Sequence, residues 1–283
     1  MNNRDMKDGI DGFSYGKVPD LTDHFLNTLV AGLDGLGVQG IALGGSYARG
    51  DATVYSDIDI ALVMREDVDL PLKRFFVRDD KVVSVSPKRL SAARDDIRRP
   101  ERAIWVVPGL IVCRILVDKT GALADFLSEL RAFRWEPLQP AADRYAARSL
   151  TLCAEAAFKV LSALQRGDDR VLYNATHGLV SWLTEIVAVQ RGVMIEGDHT
   201  YYRQVQETVG LDSVWTSYHN IGIGVTRLDV PRNDALSMRA LSALHLYRET
   251  LSLVRHTMDR EQIAVAKQVV RYTGARTGEQ RDL

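Results

Sequence analysis

The sequence predicts an α/β (α+β) amino-terminal domain with a mixed sheet, followed by an all-α helical bundle domain. Two patterns and one bulk property lead there. Up to about residue 135, helical apolar spacing alternates with short aliphatic runs of strand length. After Trp135-Glu136-Pro137-Leu138-Gln139-Pro140 the strand signals stop and long helical patterns take over. The chain of 283 residues is 46% hydrophobic and 26% charged, which supplies a sizeable core and excludes a disordered or collagen-like protein. Lys plus Arg number 36 against 37 Asp plus Glu, a net charge of −1. That balance removes the broad electrostatic drive for nucleic-acid binding. Cys113 and Cys153 form neither a metal-ligand spacing nor a disulfide framework, as expected of a reducing compartment.

In chain order, residues 23–36 have the apolar spacing of a helix ending near glycine. Residues 39–43 read as a buried strand running into Gly44-Gly45-Ser46. Residues 57–64 (DIDIALVM) read as a second strand, and 81–86 (KVVSVS) as a third, bounded by Asp79-Asp80 and Pro87. A short helix over 90–97, a strand over 110–117 and a helix over 122–133 complete the first domain, residues 1–136. The proline pair is the expected boundary, since each proline interrupts a helix. Helices over 141–166, 170–191, 199–209 and 233–258 then predict a four-helix bundle within residues 141–260. The polar stretch 272–283 reads as a frayed tail. The first 17 residues lack the apolar core of a signal peptide. The longest apolar run, Leu150 to Leu164, carries Glu155 and Lys159 and is too short to span a bilayer. A cytoplasmic protein with no membrane partner is expected.

The chemistry concentrates in residues 43–62, LGGSYARGDATVYSDIDIAL. Glycines 44 and 45 let backbone approach a phosphate closely, and exposed N–H groups with the Ser46 hydroxyl can hold its oxygens. A helix starting near Ser46 would add a favourable partial charge. Asp57 and Asp59 are two apart on a strand, so both carboxylates project from one face while Ile58 and Ile60 enter the core. Adjacent carboxylates repel unless a cation compensates them, and magnesium does so where phosphates are near. The pattern suggests metal-dependent chemistry on a nucleoside triphosphate.

GGS followed by SDIDI resembles the signature of the nucleotidyltransferase superfamily that includes DNA polymerase beta and the aminoglycoside nucleotidyltransferases. The resemblance implies metal binding by Asp57 and Asp59, and triphosphate binding by Gly45 and Ser46 with Gly44 beside them. It also implies a third carboxylate on a following strand. The matching position here is Ser84, which carries no charge; Asp79, Asp80 and Asp118 are the substitutes, and Asp118 reads more simply as a turn residue.

In the second half, Glu155 and Lys159 interrupt an almost wholly apolar helix at i and i+4. On an exposed face such a pair is a minor ion pair of ~0.2–0.5 kcal/mol. Buried, it would cost more than it returns. A cleft in which both groups meet water, metal or substrate resolves the conflict and is the favoured reading. Glu-x-x-x-Lys on the first bundle helix resembles kanamycin-type aminoglycoside nucleotidyltransferases, which implies Glu155 as base for the acceptor hydroxyl and Lys159 as phosphate clamp. Shielding from water would raise the Glu155 pKa towards neutrality. Asn174 and His177 read as packing residues, Asp198 as a helix N-cap, Tyr201 and Tyr202 as aromatic core, and Arg49 as the partner of a nearby carboxylate. Arg239 and His245 faintly resemble the Arg-x4–6-His motif of HEPN ribonucleases.

The resulting expectation is a Mg²⁺-dependent enzyme moving NMP, AMP from ATP first, onto a hydroxyl of a small, aminoglycoside-like acceptor. The resemblance allows a homodimer that shares sites. Two alternatives stand beside it. One is nucleotidylation of a protein or tRNA, as in toxin–antitoxin relatives, with a HEPN-like bundle. The other, favoured by Ser84, is a nucleotide-binding relative that has lost catalysis.

Overall fold

Thr22 opens the first helix, α1 (Asp23–Leu33), its side chain accepting the Phe25 N–H at 3.2 Å. The computed structural model describes residues 20–278. They form two units: one runs to Asp96 and includes Val106–Phe133, the other takes Ile97–Trp105 and the residues from Arg134 on. In the first unit α1 stops three residues before the expected end. Asp34 is extended, Gly37 turns at φ +91°, and Leu36 is fully exposed, so the chain swings directly into β1 (Val38–Leu43).

A five-stranded mixed sheet follows, in the order β3-β4-β2-β1-β5, with β2 (Ile58–Met64), β3 (Arg74–Arg78), β4 (Lys81–Lys88) and β5 (Arg114–Asp118). β1 pairs antiparallel with β2 and β5, β3 antiparallel with β4, and β2 parallel with β4. Alternation sends Ile41, Leu43, Ile58, Ile60, Val83 and Val85 to one face, where they pack with Phe25, Leu26 and Leu29 of α1. On the other face Ala42, Ala61 and Val63 meet Leu123, Phe126 and Leu127 of α5 (Ala122–Arg131) around a cavity of about 20 Å³.

Four expectations need correcting. Strand β3 was not anticipated; it joins β4 through Asp79 and Asp80, both left-handed (φ +47° and +58°), a two-residue turn whose twist suits a hairpin. The helix expected over 90–97 forms as α3 (Leu90–Asp96), but the strand expected over 110–117 is shorter, because Leu110 and Ile111 end a helix, α4 (Pro100–Ile111). Pro108 inside α4 cannot donate to the Ile104 carbonyl, which accepts the Ile195 N–H at 2.8 Å instead. Ile104 is fully buried in the helical core, so Ile97–Trp105 falls in the second unit. The prolines of 135–140 do not break a helix but start one: Pro137 lies in a 3-10 turn (Glu136–Leu138) and Pro140 in the first turn of α6 (Gln139–Arg166).

The second unit holds α6, α7 (Asp169–Gln190), α8 (Tyr201–Val209), α9 (Val214–Gly222), α10 (Arg232–Val254) and α11 (Arg260–Thr277). From Arg134 on, that is six α-helices among the described residues, not the four expected; α9 and α11 are additions. α11 carries the stretch from Tyr272 to Thr277 expected to fray, and residues 279–283 lie outside the described ones. The core runs through an alanine-rich face of α6 and the buried faces of α7 and α10. Tyr247, fully buried, donates to the Leu150 carbonyl at 3.1 Å, and Trp215 donates to Thr250 at 2.9 Å. At the turn after α7, Gly192 (φ +63°) leaves room for the Trp135 ring, which a Cβ would meet at 2.5 Å.

Candidate active site

β1 delivers the chain to Gly44, whose N–H donates to the Asp59 carbonyl at 2.8 Å. This bond ties the glycine turn to the start of β2. Gly45 follows at φ +60°, and a Cβ there would lie 2.1 Å from Asp59 Oδ2. Glycine is thus demanded twice, by conformation and by the carboxylate lying against it. The helix beginning here, α2 (Gly45–Arg49), has only five residues and is capped by Gly44 without a side-chain bond. One turn carries little macrodipole, so the expected partial charge of a helix at Ser46 is corrected: anion-holding capacity here rests on local N–H groups. Gly50, left-handed at φ +82°, ends α2.

Asp57 lies just before β2 and Asp59 within it; both are half-buried. Burial is the main force raising the Asp59 pKa and the Asp57 charge adds to it, while Lys73 and Arg49 oppose them. Arg49 is itself paired with Asp51 at 3.1 Å. Beside Asp59 in register stands Ser84 of the parallel strand β4, and beyond it Phe75 of β3. Paired residues of neighbouring strands share a face, so Ser84 occupies the Asp59 side of the sheet. It is 1% exposed and its hydroxyl has no hydrogen-bond partner. Cys113 packs near Gly44, but burial pushes its thiol up to about 11, so it is no nucleophile at neutral pH. Asp118 acts as the turn residue expected: its carboxylate accepts the Gly121 and Ala124 N–H groups at 3.0 and 2.9 Å.

Gly44, Gly45, Ser46, Asp57 and Asp59 are therefore brought together in the first unit. Glu155 and Lys159 pair with each other on α6, at 2.7 Å, with side chains 77% and 62% exposed. The expectation of a buried helix that shields them is corrected: Leu152 and Phe158, on the same side of α6, are exposed as well. The Lys159 hydrogen bond and charge hold the Glu155 carboxyl below its ordinary value, the opposite of the expected rise. A half-buried carboxylate of this unit that the sequence did not reveal is Glu185 of α7. It accepts the Tyr145 hydroxyl at 2.6 Å, and burial together with this bond raises the tyrosine's pKa. No local spacing signals a partnership forty residues apart. Of the lesser candidates, Tyr201 packs at a tilt of 54° against Trp105 with ring centroids 4.9 Å apart, the aromatic packing expected. Asp198 does not cap α8; Thr200 holds that place.

In the first unit a mixed sheet thus holds a glycine turn against Asp59, with the Asp57 charge beside it. Residues 27–108, which contain the whole of this arrangement except Cys113 and Asp118, match the family model of the nucleotidyltransferase domain. This stretch is a nucleotidyltransferase domain of the DNA polymerase beta type. Among solved structures, the chain is similar to a nucleotidyltransferase-like protein from Exiguobacterium sibiricum 255-15, at 14% identity and a TM-score of 0.48, over 91% of this chain and 94% of that one. No curated protein matches the sequence. None of the described helices is long and apolar enough to cross a membrane.

Proposed function

We propose that the protein transfers a nucleoside monophosphate, AMP from ATP, to a hydroxyl of a small molecule and releases pyrophosphate, with Mg²⁺ as cofactor. The observation that carries this reading is the clasp of Gly45 on Asp59 inside the nucleotidyltransferase match. The residues suit a hard cation. Asp57, Asp59 and the unpartnered Ser84 hydroxyl form an oxygen-only donor set, which favours magnesium over zinc. Among the described residues no cluster of three or more Asp, Glu, His or Cys could hold a metal ion, so bound phosphate oxygens and water would complete the shell. A magnesium ion held there would neutralise charge on the triphosphate and polarise its phosphorus.

The chain's own residues divide the remaining work. Gly45 and Ser46 offer N–H groups to the outer phosphates, and Gly44, its own N–H held by the Asp59 carbonyl, sets the turn that presents them. Arg49 and Lys73, whose charges reach Asp59, add cations on the same side. Glu155 is proposed as base through the family resemblance; held ionised by Lys159, it can accept the acceptor's proton, and Lys159 is proposed as the phosphate contact. An aminoglycoside-like acceptor, a cytoplasmic location and a homodimer belong to the same proposal. The partner-free Ser84 hydroxyl also favours a second reading, a nucleotide-binding relative of weak catalytic power.

The test is transfer from α-labelled ATP with Mg²⁺ into a panel of hydroxyl acceptors, with release of pyrophosphate as second readout. Asp57→Asn and Asp59→Asn should each cut transfer a hundredfold or more, about 3 kcal/mol of transition-state stabilisation. Unchanged turnover in either would sink the mechanism, and Mg²⁺-dependent ATP binding without pyrophosphate release would select the second reading. Glu155→Gln should lower kcat while leaving ATP affinity intact. Normal kcat in that variant would reduce Glu155 to a surface ion pair.

A further inference from the structure

The helical unit contains a cavity of about 120 Å³ bounded by α7, α8, α9 and α10, lined by neither metal-site aspartate. A single water needs only ~10–15 Å³, so the space accepts a ligand of several non-hydrogen atoms. Two of its polar groups lack protein partners. Thr176 of α7 is 4% exposed, and its hydroxyl makes no hydrogen bond. Helical threonines ordinarily donate to the carbonyl four residues back. Thr151, Thr184 and Thr250 of this protein do so at 2.7 to 2.8 Å, but Thr176 does not. Arg239 of α10 likewise has a buried Nε without a partner, and among the described residues no carboxylate forms an ion pair with it. Its guanidinium packs on Gly224 (φ +81°), where a Cβ would come within 2.9 Å of Cζ, so the backbone there fixes its place.

The rest of the wall favours a flat body. The Tyr173 and His177 rings lie nearly parallel, 4° apart with centroids at 6.4 Å, and Tyr202 and Leu236 join them around the cavity. We propose that this cavity binds a small planar carboxylate, its charged end on Arg239 and the Thr176 hydroxyl and its body among Tyr173, His177 and Tyr202. A guanidinium offers a planar fork of donors that matches a carboxylate, and the threonine hydroxyl supplies a third bond at the same end. An apolar pocket with a few convergent polar groups is the usual form of a small-molecule site.

The probe is benzoate, titrated calorimetrically into the full-length protein, with benzyl alcohol as its neutral counterpart and inorganic phosphate as a tetrahedral anion. Benzoate should bind saturably at one site and raise Tm; benzyl alcohol should not. Arg239→Met should weaken benzoate at least tenfold, and Thr176→Val, a near-isosteric change, several-fold. Should Arg239→Met fail to fold, Thr176→Val and Arg239→Lys carry the test, the lysine keeping the charge and losing the fork. Equal benzoate affinity in wild type and in the folded variants, or no saturable benzoate binding, would overturn the proposal. Saturable phosphate binding without benzoate binding would overturn the carboxylate assignment.

Discussion

Single side chains set the two sharpest constraints in this protein. Gly45 sits in the left-handed region with Asp59 Oδ2 where its Cβ would be. Gly45→Ala should therefore lose on two counts: about 1–2 kcal/mol of backbone strain, visible as a lower urea midpoint, and displacement of a proposed metal ligand, visible as a larger loss of transfer. A variant as active as wild type would show that Asp59 needs no such clasp. His219 is the second case. It is fully buried, and its tautomer is fixed from both sides. The Gln206 amide donates to its Nδ1 at 2.8 Å and to Asn220 at 2.8 Å; its Nε2–H reaches the Thr184 hydroxyl at 2.9 Å, which in turn donates to the Val180 carbonyl at 2.7 Å. A second ring proton would face an amide N–H, and burial pushes the pKa down to about 4. The unfolded chain takes up this proton near pH 6.5 and the folded one does not until near 4, so stability is full above 6.5 and is lost as pH falls towards 4. The loss is of order 3 kcal/mol, and His219→Gln should flatten the dependence of unfolding free energy on pH across that window. The glycine turn and carboxylate pair were legible because their chemistry is compressed into neighbouring positions. The burial expected around Glu155 fails because Leu152 and Phe158, though apolar, are exposed on its side of α6.

Elements were legible where their signals are local and undisguised. β1, β2 and β4 are aliphatic strands bounded by turn residues, and α5 to α7 show plain helical spacing. β3 escaped because it is an edge strand, with Phe75 and Val77 exposed, so no alternation marks a buried face. Its turn was in view all along: Asp79-Asp80 served as a boundary but is a two-residue hairpin connection. Since both aspartates are left-handed, Asp80→Gly should stabilise the sheet unit by roughly 1 kcal/mol, read from its urea midpoint. Destabilisation would mean the aspartate side chain has a role beyond the turn. α11 had its own written signal, Asp259-x-x-Gln262, which closes a reciprocal capping box with bonds of 2.8 and 3.0 Å. α4 was harder, because Pro108 argues against a helix and only the distant Ile195 N–H satisfies the carbonyl it frees.

At the scale of the whole molecule, two separate cores make two separate stabilities a testable matter. One core joins α1 to the sheet around Leu29, Ile41 and Ile58; the other runs through the helical unit around Leu150, Leu183 and Tyr247. The four tryptophans, Trp105, Trp135, Trp182 and Trp215, all fall in the helical unit. Tryptophan emission therefore reports that unit, whereas far-UV circular dichroism reports both. Leu29→Ala removes a fully buried side chain from the sheet core and should cost about 2–5 kcal/mol there. Its urea unfolding should begin in the dichroism signal while tryptophan emission keeps its wild-type midpoint. Leu183→Ala, equally buried in the helical core, should shift the emission midpoint by the same mechanism. If Leu29→Ala moved both signals together, the two cores would share one cooperative transition, and a single unfolding free energy would describe the chain. Separate midpoints would instead let losses of transfer in site variants be checked against the stability of the unit that carries Asp57 and Asp59.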